Sequence, residues 1–377
     1  MFEANIEKVS VSNDDGVECI REGLRELTST ERKQHRQLQL NKNRVALGEI
    51  PEDANFTPAF VVEKAKALKR KTLKVDEYRH LQNALIQDEE NVNSFLKVDN
   101  ILFALVRDLS GNNPTLQLCA ASCCCNLALG NSKACTALAK NIAPYLITEL
   151  ETLNSPLLEV CAWTIGNLVT GSNKALEILH AQGCLKYITS LIQNCDETIF
   201  PSVTYATVHY VHAAFNQILE SEMIELAQAI AKRDFPYKDP YHIWLLAFLS
   251  STAACNTYLH HIVPLVVDYL YQNTINNFVA VLKVTASLRI LGNIISESSG
   301  EAANVLLKNS KYTEVDLQTL LNTLLSHPYT HIRKETLWII GNLYNHNSPD
   351  IQQTIKDLLP LLSHLSQAIL SLTQQIT

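Results

Sequence analysis

Two stretches far apart in this chain carry the same helix. Val160-Cys-Ala-Trp163-Thr-Ile-Gly-Asn167-Leu-Val-Thr-Gly171 and Lys334-Glu-Thr-Leu-Trp338-Ile-Ile-Gly-Asn342-Leu343 both contain W-x-x-G-N in an apolar frame. Residues four apart on a helix lie one above the other, so Trp and Asn share a face. Val160, Ile165, Leu168 and Val169 give the first copy an apolar back. A chain that builds one amphipathic helix twice at a distance is read as a stack of similar units.

The bulk numbers agree with such a stack. The 377 residues suffice for two or three ordinary domains or for one elongated array. A hydrophobic content of 47% against 18% charged residues is ample for a core and too apolar for disorder. Only 11 Gly and 12 Pro fit long helices with short turns better than many short strands. A net charge of -7 argues against general affinity for nucleic acid and is compatible with a basic partner. Met1 opens onto Glu3, Glu7 and Lys8, not onto an apolar leader, so the ten cysteines are expected to be reduced thiols in the cytoplasm or nucleus. The most apolar run, Ile243 to Cys255, is short and broken by Ser250, Ser251 and Thr252. It predicts a core helix, and no membrane span is expected.

In chain order, residues 1–20 read as a disordered leader and residues 21–48 as a basic helical arm with a thin apolar stripe (Leu24, Leu27, Leu38, Leu40). Residues 49–58, with Pro51 and Pro58, read as a linker. From Ala59 to Thr377 one helical rhythm continues, with near-anchors at Asn126, Asn167, Gln217, Trp244, Asn293 and Asn342. The steps are uneven, and several fall near the forty-odd residues of an armadillo or HEAT unit, Gln217 to Trp244 being too short for one. One unit predicts a helix from Pro144 to Leu150, a turn at Asn154-Ser155-Pro156, and a long helix from Leu157 to Val169 capped by Gly171. A short helix from Ala175 to His180 and a kink at Gly183 follow. That order is armadillo-like. Residues 192–240 fit worst and read as a degenerate repeat. The expected fold is all-α: a right-handed armadillo-repeat superhelix, or α-solenoid, with an N-terminal basic arm.

These motifs resemble those of the importin-α family. The Trp163/Asn167 and Trp338/Asn342 helices look like the third helices of its armadillo repeats. Arg32-Lys33-Gln-His-Arg36-Gln-Leu-Gln-Leu-Asn-Lys42-Asn-Arg44 resembles the second half of its importin-β-binding arm, roughly RKxKRxxQLxKRR. The family's first-half Arg run is mostly missing here. The resemblance implies that Trp163, Asn167, Trp338 and Asn342 line a groove for an extended basic peptide, with Asn126 and Asn293 as half-pairs. The Asn amide would bond the peptide backbone and the indoles would hold Lys stems. Arg32, Lys33, Arg36, Lys42 and Arg44 would meet an importin-β-like receptor. The implied role is nuclear import of proteins bearing basic localisation signals; the alternative is an armadillo scaffold without transport activity. Ser122 and Arg289 stand where Trp would precede Asn126 and Asn293, and Arg289 is expected to repel a cationic ligand.

Other constellations point to packing. Cys119, Cys123, Cys124 and Cys125 lack the paired spacing of structural zinc sites and read as small core residues. His209, His212, His260 and His261 lack a Glu placed for metalloprotease chemistry. No phosphate-loop, dinucleotide-binding or nucleophile-elbow motif occurs. No enzyme activity and no cofactor is expected.

Overall fold

The computed structural model describes residues 56–233, 239–273, 278–297 and 299–373. The leader and the basic arm, including Arg32, Lys33, Arg36, Lys42 and Arg44, lie outside the described residues. The array from Phe56 onward is one compact unit. Its helices are α1 (Pro58–Lys69), α2 (Val75–Gln87), α3 (Glu89–Leu96), α4 (Ile101–Leu109), α5 (Pro114–Leu127), α6 (Ser132–Thr148) and α7 (Ser155–Gly171). Then come α8 (Asn173–Ala181), α9 (Cys184–Asn194), α10 (Phe200–Ala214), α11 (Glu220–Ile230), α12 (Pro240–Ser250), α13 (Ala253–Leu259) and α14 (Val263–Gln272). The last are α15 (Phe278–Ile295), α16 (Glu301–Leu307), α17 (Glu314–Leu325), α18 (Thr330–Tyr344), α19 (Pro349–Leu358) and α20 (Leu365–Thr373). Among the described residues there is no strand.

The turns that punctuate the array reuse one device. Thr57, Asn113, Asn154 and Asp239 each place a side-chain oxygen on a backbone N–H of the first helical turn, with a proline at or next to the first helical position. Proline has no N–H to lose there and its fixed φ suits the start of a helix.

Two layers run along the array. The long third helices α2, α5, α7, α10, α12, α15 and α18 each pack on the next, forming one continuous layer. Behind them α1 packs on α3, α4 and α8 on α6, α9 and α13 on α11, and α14 and α19 on α16. The core between the layers is aliphatic and small-residue rich. On α5, Ala120, Ala121, Cys123 and Cys124 are wholly covered, which lets neighbouring backbones approach closely. Each large aliphatic buried in this way contributes roughly 1.5–3 kcal/mol.

Two local expectations are corrected. Pro144 does not start a helix but sits inside α6, which runs unbroken from Ser132 to Thr148 and fuses a unit's first two helices. Gly171 ends α7 in helical geometry; the need for glycine there is space, since a Cβ would stand 2.5 Å from Cys135 Sγ. The poorly fitting middle contains a regular third helix, α10, followed by a unit in which residues 215–219 form a turn where a short first helix would stand.

Candidate functional site

The third helices carry the Trp/Asn face, and their register follows from one recurring hydrogen bond. Asn126 Nδ2 donates to Gln82 O at 2.6 Å, Asn167 to Cys125 O at 3.3 Å, Asn293 to Ala247 O at 3.4 Å, and Asn342 to Gly292 O at 2.9 Å. Cys125 and Gly292 immediately precede Asn126 and Asn293, so each bond lands one residue before the previous rung. Extending this register gives the rungs Arg79/Asn83, Ser122/Asn126, Trp163/Asn167, Tyr205/His209, Trp244/Phe248, Arg289/Asn293 and Trp338/Asn342, spaced by about forty residues throughout.

Three of the four accepting carbonyls, those of Cys125, Ala247 and Gly292, belong to the last four residues of their helices. A helix leaves such carbonyls without an i+4 donor from within itself. The asparagine of the next unit reaches one of them, joined at Ala247 O by Ser250 Oγ at 3.0 Å and at Gly292 O by Ser296 N at 3.3 Å.

This bond decides where the predicted site residues point. Asn126 and Asn167 are 2% and 3% exposed and lie between helices. The Asn167 carboxamide oxygen also accepts from Tyr205 Oη at 2.9 Å. Asn293 and Asn342 are half-buried, with their Nδ2 groups directed to the preceding helix. These four amides therefore brace neighbouring units. That role follows from desolvation, because a buried amide must find a partner inside the protein.

The aromatic halves of the rungs divide into covered and open. Trp163 packs at 5.3 Å against the Tyr205 ring, and Tyr205 in turn packs edge-on to His209 and Tyr241. Trp244 is nearly buried. Trp338, on α18, is 41% exposed, with Tyr329 and Tyr344 of the same region also open. Gly166 and Gly292, each one residue before a rung asparagine, receive the ring of the following unit, whereas a Cβ on Gly341 would meet nothing within 4 Å. A Cβ on Gly166 would stand 2.5 Å from Tyr205 Cε1, and one on Gly292 2.4 Å from Trp338 Cζ3.

Arg289 has partners on both neighbouring units. Its guanidinium lies 5.4 Å from the centre of the Trp244 ring, and its Nε donates to Glu335 Oε1 at 2.7 Å. The cation is matched by an indole face and a carboxylate from the units on either side, so it is neutralised inside the layer. The basic side chain that such a face would take from a ligand is here supplied by the chain itself.

Titration along the face is set by burial. His331 on α18, bonded to Thr285 Oγ1 at 3.1 Å, is held down to about 4 by burial and then by His327 and Arg289. His242 on α12 is held down to about 4 by burial and then by Arg233. Cys119, Cys123, Cys124 and Cys125 are buried in α5, and burial pushes the Cys119 and Cys124 thiols up. Among the described residues no helix is long and apolar enough to cross a membrane.

The motifs Tyr205/His209, Trp244/Phe248 and Arg79/Asn83 escape a sequence search for W-x-x-G-N, because only the spacing of four is retained. The step of about forty residues from Asn167 was the signal that could have found His209. Gln217 instead lies in the turn after α10, and Trp244 is the aromatic half of its rung.

No family model matches the chain. Importin subunit alpha-9 of Arabidopsis thaliana is 24% identical over 249 residues, covering 63% of this chain and 47% of that protein. The chain thus spans about half the length of this curated relative. Among solved structures, an engineered protein superposes with a TM-score of 0.59 at 16% identity, over 76% of this chain and 69% of the other. A designed armadillo repeat protein gives a TM-score of 0.41 at 14% identity, over 76% of this chain and 99% of the other. The fold is an all-α repeat solenoid of the armadillo type, with a distant sequence similarity to an importin-α.

Proposed function

We propose that the array is an adaptor that holds an extended segment of another protein along its third-helix layer, and that its specific role is import of proteins bearing basic signals. The observation that carries the scaffold reading is the repeated asparagine-to-carbonyl bond. It holds successive third helices in one register, so that side chains four residues before each rung line up along a single face. A solenoid with one regular face offers an extended surface for a chain segment. Trp338, 41% exposed against 7% for Trp244, offers an indole to such a segment. The import role is supported by the Arg32 to Arg44 match and by the similarity to importin subunit alpha-9. The order of motifs is also similar to that of the importin-α-like transmembrane and coiled-coil domain-containing protein 6. Such an adaptor works in cytoplasm and nucleus, with an importin-β-like receptor as its second partner.

A second reading, a scaffold for non-basic segments, is favoured by Arg289. It occupies Trp244 and Glu335, the indole and carboxylate that a cargo cation would use.

The test is fluorescence polarisation of the full chain with a Lys/Arg-rich peptide and a charge-neutral peptide of equal length. Preference for the basic peptide, reduced by Trp338→Ala, supports the import reading. Preference for the neutral peptide supports the scaffold. Capture of importin-β by the chain, lost on Arg32→Ala with Lys33→Ala and Arg36→Ala, tests the transport half.

A further inference from the structure

At the start of the array, between the C-terminal ends of α1 and α3, lies a cavity of about 610 Å³ lined by none of the rung residues. Lys66, Lys69, Arg70 and Lys97 line it, over Val62 and Ser94. Cations near helix C-termini are ordinary partners of the helix dipole. All four stand there: Lys66 and Lys69 lie in the last turn of α1, and Arg70 and Lys97 are the C-cap residues of α1 and α3. Lys69 Nζ donates to Asp99 O at 2.7 Å and pairs with the Asp99 carboxylate at 3.9 Å. Lys66, Arg70 and Lys97 make no ion pair or side-chain hydrogen bond among the described residues. A single carboxylate, that of Asp99, shares the lining with four cations.

Ser94 supplies a second, independent observation. The residue is 7% exposed, lines the cavity, and its hydroxyl makes no hydrogen bond among the described residues. A serine hydroxyl on a helix ordinarily turns to a nearby carbonyl or side chain. Here it faces a cavity ringed by donors, which is the surrounding an anion with several acceptor oxygens would satisfy.

We propose that this cavity binds a phosphorylated side chain on a partner protein. A phosphate monoester brings about two negative charges and three acceptor oxygens at neutral pH. Lys66, Arg70 and Lys97 supply the charge, Ser94 the neutral donor, and Val62 a surface for the neighbouring peptide atoms. The net charge of the chain selects this source over a polyanion. With -7 overall, a nucleic acid or an anionic membrane extending beyond the cavity meets a repulsive field, whereas one phosphoryl group on a short segment meets only the cavity.

The experiment uses the full chain and a fluorescein-labelled library Gly-Ser-Xaa-pSer-Xaa-Ser-Gly, compared by polarisation with the same library carrying serine. Single-stranded DNA and vesicles containing phosphatidylinositol phosphates are the competing probes. The phosphorylated library binds at least about tenfold more tightly than the serine form, a difference of about 1.4 kcal/mol. The variant Lys66→Ala, Arg70→Ala, Lys97→Ala loses that preference with an unchanged circular dichroism spectrum, since the three side chains are exposed. Ser94→Ala weakens binding by a smaller factor. No phosphate-dependent binding, equal binding by the triple variant, or tighter binding of the DNA or the vesicles each overturns the proposal.

Discussion

The indole of Trp338 stands over Gly292 so closely that a methyl group at position 292 would lie 2.4 Å from Cζ3. Gly166 holds the same relation to Tyr205, at 2.5 Å. The two notches differ in freedom, because Trp338 is 41% exposed and Tyr205 is 1% exposed. In Gly292→Ala the ring swings outward and the cost is about 1 kcal/mol, whereas Gly166→Ala has no such exit and costs about 2–3 kcal/mol. Urea denaturation of the two variants checks the order, and tryptophan emission reports the displaced indole in Gly292→Ala.

Asn167 joins two helices to its own. Replacing it by Leu removes the donor to Cys125 O and the acceptor of Tyr205 Oη, leaving both buried. The expected loss is about 2–3 kcal/mol, against about 1 kcal/mol for Tyr205→Phe, which removes only the second bond. Asn342→Leu, at a half-buried rung, costs less than Asn167→Leu. If the two Asn variants unfold at the same denaturant midpoint, the asparagine bond is not what distinguishes these junctions.

Acid weakens the array through two histidines. His242 and His331 both sit near 4 in the folded chain, below the ordinary 6.5, so the folded state binds fewer protons between those values. Their stabilisation is fully present above pH 6.5 and is lost as pH falls through 4, up to about 3 kcal/mol for His242 and less for the more accessible His331, where solvent screens the charge. Asp239, whose carboxyl burial raises, works in the opposite sense: its folded form gains relative stability as it protonates. Denaturation midpoints measured from pH 7 to pH 4 fall, and the fall is shallower in His242→Phe.

Arg289 is predicted to compete with basic ligands for its own surroundings. Arg289→Ala frees the Trp244 face and the Glu335 carboxylate, so affinity for a Lys/Arg-rich peptide rises several-fold, in line with about 1 kcal/mol for one cation–π contact. Polarisation titration with that peptide reads the change. Unaltered affinity places the basic segment elsewhere on the array or removes it from the ligands of this face.

The helical class and the repeat were legible because apolar periodicity and turn residues are local properties. α7 and α18 could be read almost residue by residue, since Trp, Gly and Asn recur at fixed offsets. The rungs at Tyr205/His209 and Trp244/Phe248 could not. There the side chains changed while the backbone step stayed: the Asn293 bond to Ala247 O marks Phe248, and the step from Asn167 marks His209. The direction of Asn126 and Asn167 was also beyond a single helix. Whether an amide on a helix face looks outward or across to a neighbour depends on the distance to the next unit, which glycine at 166 and small residues on α5 set. Arg289 taught the same lesson about charge: its partners, Trp244 and Glu335, lie more than forty residues away on either side.

The asparagine bonds carry a consequence for how the array melts. At Cys125, Ala247 and Gly292 the final turn of a helix is tied to a side chain from the unit that follows. No such unit is complete when cut out of the series, and each boundary holds part of the stability of the helix on its near side. Coupling between neighbours is therefore strong relative to what any one unit holds alone, and unfolding spreads along the stack as a cooperative event, with isolated units unable to persist.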